Sequence, residues 1–236
     1  MPMDLNGRSV LVVGAAGGIG SATVQAFARN GARVVAAGRP GPKLDEAARS
    51  AGAEPVALDF TEEAAVEAFF ADRTAFDHVV VAVASTKTGS VASLPLAEAK
   101  AAMESKFWGA YRVARAAKVV DGGSLTFVSG YLSQRPGAAA VLQGAINAAL
   151  DALARGLALE RAPARVNTVS PGLVDTPLYA GMDTADRVAM FEKRAAQLPA
   201  RRIGQPDDLA QAILFVATNP FATGSTVTVD GGGTIA

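Results

Sequence analysis

The chain contains no cysteine, a single histidine and a single tryptophan among its 236 residues. The absence of cysteine excludes disulfides, thiolate metal ligands and a cysteine nucleophile. One histidine cannot build a histidine-rich metal cluster, so no metal site is expected. A serine–histidine–aspartate triad would have to depend on His78 alone. These absences remove several common classes of catalytic site.

An excess of charge of one sign is also missing. The 22 basic residues balance the 22 acidic residues, so the formal net charge is zero. Nucleic-acid binders usually carry a basic surface, and nucleic acid is therefore not an expected partner. The N-terminus lacks a charged segment followed by an apolar run, and no apolar run reaches membrane-spanning length. We therefore expect a soluble, cytoplasmic protein with no membrane partner.

What the chain does contain is a regular alternation of strand and helix patterns. Short runs rich in β-branched residues predict strands at 9–13, 33–37, 55–58, 78–83, 124–128, 165–169 and 226–229. Helical patterns lie between them at 18–30, 42–51, 61–72, 96–118, 138–160 and 206–218. This order predicts an α/β fold: a single domain, residues 1–236, with a Rossmann-type, doubly wound parallel sheet of seven strands flanked by helices. Residues 176–202 are too many for a plain connector and predict a lid or substrate-binding segment.

A glycine-rich turn joins the first predicted strand to the first helix. The run VGAAGGIG contains Gly14, Gly18 and Gly20. Such a turn lets backbone approach a pyrophosphate closely, and the free N–H groups of the following helix then face the anion. Because a strand precedes the glycines and a helix follows them, the turn predicts dinucleotide binding rather than an ordinary loop.

The spacing Gly-x-x-x-Gly-x-Gly resembles that of the short-chain dehydrogenase/reductase family. Three further runs agree with this family: ALDFTEE (57–63), ARVNTVSPGLVDTP (164–177) and the stretch from RRIGQPDD to VDGGG (201–233). The resemblance implies an NAD(P)-dependent oxidoreductase that transfers hydride to or from a small carbonyl, alcohol or imine substrate. The cofactor contacts expected from the turn and the resemblance are Gly14, Ala16, Gly18, Ile19, Gly20, Arg39, Asp59, Phe60, Ala82, Asn147, Pro171, Gly172, Val174 and Thr176.

The end of the second strand indicates which nicotinamide cofactor is used. An NAD-binding protein usually has an acidic residue there for the ribose hydroxyls, but this chain has Gly38 followed by Arg39. Arg39 can form charge-assisted bonds with a 2′-phosphate, or it can be a solvated turn arginine. The missing acid favours NADP(H) over NAD(H).

The catalytic positions depart from the family pattern. The resemblance implies a tyrosine and a lysine four residues apart on one helix, a serine thirteen residues before the tyrosine, and an asparagine on an earlier helix. At the matching positions this chain has Gln143, Asn147, Gly130 and Lys106. A carboxamide cannot release a proton near neutral pH, so Gln143 and Asn147 can orient cofactor and substrate but cannot act as the acid.

Neighbouring side chains at the same edge of the sheet are alternative candidates for the chemistry. Ser129 and Tyr131 flank Gly130, where Ser129 is a candidate for orienting the substrate oxygen and Tyr131 for a displaced acid. Lys106 is a candidate cation that tunes this acid or polarises the substrate. The alternatives are a solvated Lys106, a Tyr131 that only covers the sheet edge, and proton transfer from substrate or water. A catalytically inactive NADP(H)-binding sensor or partner subunit is the competing function.

Four aromatic side chains complete the expectations. Tyr179 lies in the lid segment and is expected to shape the substrate pocket, and His78 is expected to be structural. Phe107 and Trp108 are expected in the core or an interface. By resemblance, the helices at 96–118 and 138–160 form the seam of a homodimer, and the glycine-rich C-terminus supports a homotetramer.

Overall fold

A computed structural model describes residues 4–84 and 86–236 of the chain. The strands are β1 (Ser9–Val13), β2 (Arg33–Gly38), β3 (Glu54–Ala57), β4 (Phe76–Val81), β5 (Val119–Val128), β6 (Arg165–Pro171) and β7 (Thr226–Val229). The helices are α1 (Gly18–Arg29), α2 (Pro42–Ala51), α3 (Glu63–Ala71), α4 (Leu96–Met103), α5 (Gly109–Ala116), α6 (Val141–Glu160), α7 (Thr184–Gln197) and α8 (Pro206–Thr218). A π-helical turn, Glu104–Trp108, joins α4 to α5.

The seven strands form one parallel sheet in the order β3-β2-β1-β4-β5-β6-β7. The predicted fold class is therefore confirmed. The direction in which the strands are added reverses between β1 and β4, and ligands of such sheets bind in the crevice at the carboxyl ends of the strands at this point. The glycine-rich turn follows β1 and thus lies at that crevice.

The core has two layers, one on each face of the sheet. Apolar side chains of α3, α5 and α6, such as Phe70, Val113 and Leu150, pack on one face. Those of α1, α2 and α8, such as Phe27 and Ile213, pack on the other. Continuous apolar strands suit this arrangement because both of their faces are covered. No helix within residues 4–84 and 86–236 is long and apolar enough to cross a membrane.

Several predicted boundaries differ from the observed ones by one to three residues, and two elements differ more substantially. The helix predicted at 96–118 is divided by the π-helical turn and ends at Ala116. The strand predicted at 124–128 begins at Val119, because Val119 pairs with Phe76 before a shift of register brings Ser124 opposite His78. The glycine pair Gly122–Gly123 conceals this first half of β5 in the sequence pattern.

The predicted lid segment, 176–202, has a helix of its own. This helix, α7, begins where the Asp183 carboxylate accepts the backbone N–H groups of Ala185 and Asp186, at 2.8 and 3.3 Å. Such an N-cap satisfies donors that have no partner within the helix. The segment therefore presents an ordered helical face to its surroundings rather than a loop.

His78 has the structural role that the sequence predicted, and it makes stability depend on pH. The imidazole is buried in β4 with Nδ1 2.9 Å from the Ser124 hydroxyl, and burial lowers its pKa to about 4 while the Asp77 carboxylate opposes this shift. The neutral ring is therefore favoured in the folded state. Below the unfolded pKa of about 6.5, the unfolded chain takes up a proton that the folded chain does not.

We expect the free energy of unfolding to fall by roughly 2–3 kcal/mol through this group between pH 7.5 and pH 4.5. Urea unfolding of wild type and His78→Gln at both pH values measures the effect. The variant should be less stable at pH 7.5 yet show a smaller pH-dependent loss. Equal losses in the two proteins would assign the acid sensitivity to other groups.

Candidate active site

The glycine-rich turn brings β1 and β4 into close contact at the crevice. Gly14 has a φ of +91°, which glycine adopts readily, and a Cβ built on it would lie 2.5 Å from the Ala82 carbonyl oxygen. A Cβ on Gly20, in the first turn of α1, would overlap the Gly14 carbonyl oxygen. A side chain at either position would therefore require neighbouring backbone to move. The bare backbone of the turn leads directly into the N-terminus of α1, as binding of a pyrophosphate requires.

The first residues of the lid segment lie against this turn. A Cβ on Gly18 would be 2.9 Å from Pro177 Cδ and 3.0 Å from Thr176 Cβ. Gly18 and Pro177 also line a cavity of about 960 Å³, together with Ala16 and Lys43. The structure thus brings together the cofactor residues predicted at the turn and at Thr176. They fit a dinucleotide, which needs backbone approach and an enclosing wall at the same place.

Two cations follow β2 near this cavity. Arg39 is exposed, and it acts with two hydrogen bonds from Thr61 to hold the pKa of Asp59 below its usual value, the side-chain bond from Thr61 being the main cause. Lys43 lies at the start of α2 and lines the cavity, whereas Arg39 does not. Sequence reasoning missed Lys43. The run Gly-Pro-Lys after β2 could have indicated it, because proline commonly begins a helix.

Three other predicted cofactor residues are packed into the protein. Ile19 and Val174 belong to the core on the α1 face, and Phe60 packs against Gly109, the first residue of α5. These three can shape the crevice mainly through backbone and apolar contact. Pro171 ends β6, and the Gly172 N–H donates to the Val229 carbonyl at 3.0 Å.

Helix α6 carries a buried polar stripe. Gln143 and Asn147 are only 7% and 3% exposed, and Asp151, one turn further on, is 6% exposed. The spacing of four residues places all three on one face of the helix. Sequence reasoning identified the two amides and missed Asp151, although the same spacing pointed to it. A buried stripe of this kind requires partners from other elements.

Lys106 is the principal partner of the stripe. It lies in the π-helical turn, and its Nζ donates to Asn147 Oδ1 and to the Ser129 carbonyl oxygen, both at 2.6 Å. Burial lowers the pKa of Lys106 to about 8, and the negative charge of Asp151 opposes this shift. Asp151 is itself held by the Ser133 hydroxyl at 2.8 Å. The predicted alternative of a solvated Lys106 is wrong, because the ammonium is enclosed by β5 and α6.

Gln143 and the space beside Gly130 are each engaged in contacts with other parts of the protein. The Gln143 side-chain amide donates to the Lys87 carbonyl, which ties α6 to the segment after β4. A Cβ on Gly130 would lie 2.6 Å from Asn147 Nδ2, so the Asn147 amide fills this space. Ser129 Oγ is buried and has no hydrogen-bond partner within the described part of the chain. The Ser129 carbonyl, rather than its predicted hydroxyl, contacts the lysine.

Tyr131 lies apart from the lysine, in a 3₁₀ turn after β5. It lines a cavity of about 670 Å³ together with Tyr179, Gly172 and Leu173. Burial raises the pKa of Tyr179, and Tyr131 adds to this shift, so the two phenols are close. Within residues 4–84 and 86–236, the Tyr131 hydroxyl makes no hydrogen bond with Lys106. The structure therefore places both tyrosines in a substrate-sized pocket at the lid.

Comparisons with known proteins show the family of the chain. The family model described as enoyl-(acyl carrier protein) reductase matches residues 14–234. Galactitol 2-dehydrogenase (L-tagatose-forming) of Cereibacter sphaeroides is 32% identical over 248 residues, which cover 98% of this chain and 96% of that protein.

Two solved structures have the same fold over nearly the whole chain. A small-chain dehydrogenase in complex with NADPH is 35% identical with a TM-score of 0.85, covering 97% of this chain and 99% of that one. An NADPH-bound short-chain oxidoreductase from Pseudomonas aeruginosa PAO1, described as containing an atypical catalytic center, is 27% identical with a TM-score of 0.91, covering 98% of both chains. The chain belongs to the short-chain dehydrogenase/reductase family and is an NAD(P)-dependent oxidoreductase of that family.

Proposed function

We propose that this protein is an NADP(H)-dependent oxidoreductase that interconverts a small carbonyl or imine and the corresponding alcohol or amine through a non-standard catalytic site. One observation carries the proposal: the Lys106 ammonium is fixed between β5 and α6 by two hydrogen bonds of 2.6 Å. An ionisable group is thus present beside the positions at which the family resemblance places tyrosine and lysine.

Lys106 can supply the proton that this reaction needs. A nicotinamide cofactor, when bound, would supply or accept the hydride. When a carbonyl carbon gains hydride, its oxygen gains negative charge and takes a proton from the Lys106 ammonium, which becomes a neutral amine. With a pKa of about 8, the group is protonated at neutral pH and still releases its proton readily. Two of the three ammonium hydrogens are held in the described contacts, which leaves one for the substrate.

The neighbouring residues position this group. Asn147 orients the ammonium through its carbonyl oxygen and turns its Nδ2 towards Gly130, where it can donate to the substrate oxygen or a ribose hydroxyl. Gln143 holds the segment after β4 against α6. In this proposal Tyr131 contacts substrate and Tyr179 shapes the pocket. A displaced tyrosine acid remains the second candidate, since Tyr131 lines the cavity that adjoins the site.

The cofactor preference rests on charge after β2. Positions 38 and 39 carry glycine and arginine rather than an acidic residue. The cations Arg39 and Lys43 both come shortly after the end of β2. A 2′-phosphate on the adenosine ribose is expected to draw charge-assisted hydrogen bonds from these cations. We therefore propose NADP(H), with NAD(H) bound more weakly.

Equilibrium fluorescence titrations with NADPH and with NADH test this proposal. We expect NADPH to bind at least tenfold more tightly than NADH, and Arg39→Gln combined with Lys43→Gln to remove most of this difference. Arg33→Gln is the control for charge alone, because it removes one positive charge from the opposite end of β2 and is compared with each single substitution, Arg39→Gln and Lys43→Gln. Equal binding of the two cofactors would contradict the NADP preference. Binding of neither would remove the oxidoreductase proposal itself.

The surface of α5 suits the homodimer that the resemblance implies. Trp108 and Tyr111 are 43% and 42% exposed, and their rings pack edge-on with centroids 5.7 Å apart. Leu159, near the end of α6, is also exposed. We propose that these helices meet a second copy of the chain across a two-fold axis, with a homotetramer as the larger alternative.

A further inference from the structure

We infer that the pocket under α7 binds a carboxylate group of the substrate, so that the preferred substrates are oxo-acids or hydroxy-acids with an apolar body. This inference rests on the proposed function and specifies its substrate class. The pocket is the cavity of about 670 Å³ that Tyr131 and Tyr179 line. Its walls come from the 3₁₀ turn after β5, the end of β6, α7 and the C-terminal segment.

Helix α7 contributes one cation, Arg194, to the wall of this cavity. Met190, Arg194 and Gln197 follow each other at helical spacing, and all three line the pocket. Arg187, two turns before Arg194, is neutralised by an ion pair with Asp175. Among residues 4–84 and 86–236, Arg194 instead donates to the neutral Gln197 Oε1 alone, at 3.2 Å.

Arg135 supplies a second cation from another wall. Its Nη1 donates to the Gly233 carbonyl at 2.9 Å, which holds the guanidinium at the cavity. Within the described part of the chain, neither Arg135 nor Arg194 has a carboxylate oxygen within 4.0 Å. Two guanidinium groups on facing segments can bind one carboxylate through paired hydrogen bonds.

The acidic side chain that lines the cavity is already engaged. The two oxygens of Asp230 accept the backbone N–H groups of Gly232 and Thr234, at 2.9 and 2.7 Å. These bonds hold the carboxylate against its own turn and occupy one acceptor site on each oxygen. The ionised side chains of the lining, two arginines and one aspartate, therefore leave a net positive charge.

The remaining lining residues form an apolar part of the pocket and mark the end that is nearest to Lys106. Leu173, Leu198 and Met190 provide apolar surface for the body of a ligand. Tyr131 lies one residue after Gly130 and thus marks the end nearest to Lys106 and Asn147. A substrate whose carbonyl is reduced at that end would place a remote carboxylate among the arginines.

Matched pairs of ketones test the inference. The probes are 4-acetylbenzoate with its methyl ester, and 4-oxopentanoate with its methyl ester, each reduced by the intact protein with NADPH. We expect the acids to have a kcat/KM at least tenfold above that of their esters. Arg194→Gln and Arg135→Gln should each lower kcat/KM for the acids about tenfold or more and leave that of the esters within twofold.

Lys193→Gln is the matched control, because it removes the same charge from an exposed position of α7 that does not line the cavity. Calorimetric titration of the NADP⁺-bound protein with each probe measures binding without turnover. Acids that bind through the arginines but are not reduced would support this pocket and contradict the proposed reaction. If the acids neither bind nor react better than their esters, the carboxylate pocket is overturned, whatever the turnover of the esters.

Discussion

Replacing Lys106 with methionine is expected to lower kcat for carbonyl reduction by about 10²–10⁴-fold, which is the usual contribution of a general acid. Cofactor binding should remain within a few-fold of wild type. Stability should change little, because removing an ammonium whose burial lowers its pKa to about 8 offsets the loss of its hydrogen bonds to Asn147 Oδ1 and the Ser129 carbonyl oxygen. Loss of activity without loss of stability would separate a catalytic lysine from a structural one.

The pH dependence provides a second, independent readout. Reduction needs the protonated ammonium, so the rate is expected to fall as pH rises through about 8, the pKa of Lys106. The Asp151 carboxylate favours the charged form, and Asp151→Asn should therefore move this decline to lower pH. The oxidation direction should show the opposite trend, because it needs the neutral amine.

Lys100→Met is the control for these measurements, since Lys100 is an exposed lysine on the adjoining α4. Activity of Lys106→Met within threefold of wild type would remove Lys106 as the acid. Tyr131→Phe then becomes the decisive variant, because Tyr131 is the second candidate. If neither variant loses activity, the proton comes from substrate or water.

A substitution in the glycine-rich turn is also expected to have a large effect, on stability rather than on catalysis. Gly20→Ala is expected to lower the free energy of unfolding by about 3 kcal/mol, because the new methyl group overlaps the Gly14 carbonyl oxygen and neither backbone segment can move freely. For a chain of this length the expected decrease in Tm is roughly 6–12 °C. Thermal and urea unfolding without cofactor measure the effect apart from ligand binding.

Gly17→Ala is the matched control in the same turn. A Cβ on Gly17 would lie 3.3 Å from the Gly14 carbonyl oxygen, and Gly17 has a φ of −83°, which any residue adopts. Its cost should be less than about 1 kcal/mol, as expected for alanine replacing glycine at a helix N-cap. A loss for Gly20→Ala as small as that expected for Gly17→Ala would show that the turn tolerates a side chain at Gly20 and that close packing does not explain this glycine.

Much of the fold could be predicted from the sequence because its signals are local. A buried strand in a doubly wound sheet appears as a short apolar run, and the turn after β1 needs glycine at fixed spacing. The boundaries that failed lie where local signals mislead. The glycines after Val119 and Val120 conceal the first half of β5, and the π-helical turn leaves the apolar spacing on either side of it nearly intact.

The identities of the candidate catalytic residues were also visible in the sequence. Gln143 and Asn147 stand at helical spacing where the family pattern has an acid and its cation, and Lys106 and Tyr131 could be named as replacements. Their roles could not be assigned, because a role depends on distance. Lys106 and Asn147 are 41 residues apart in the chain and meet only when the π-helical turn packs against α6.

What the sequence determined by itself is therefore the architecture, the dinucleotide turn and the absence of the usual acid, since each follows from neighbouring residues. Only the tertiary structure decided that the Lys106 ammonium contacts Asn147, that Ser129 offers its carbonyl, and that two arginines with no carboxylate partner among the described residues line one cavity. The physical reason is that burial, pKa and charge pairing arise between segments far apart in the chain. No local pattern of residues contains them.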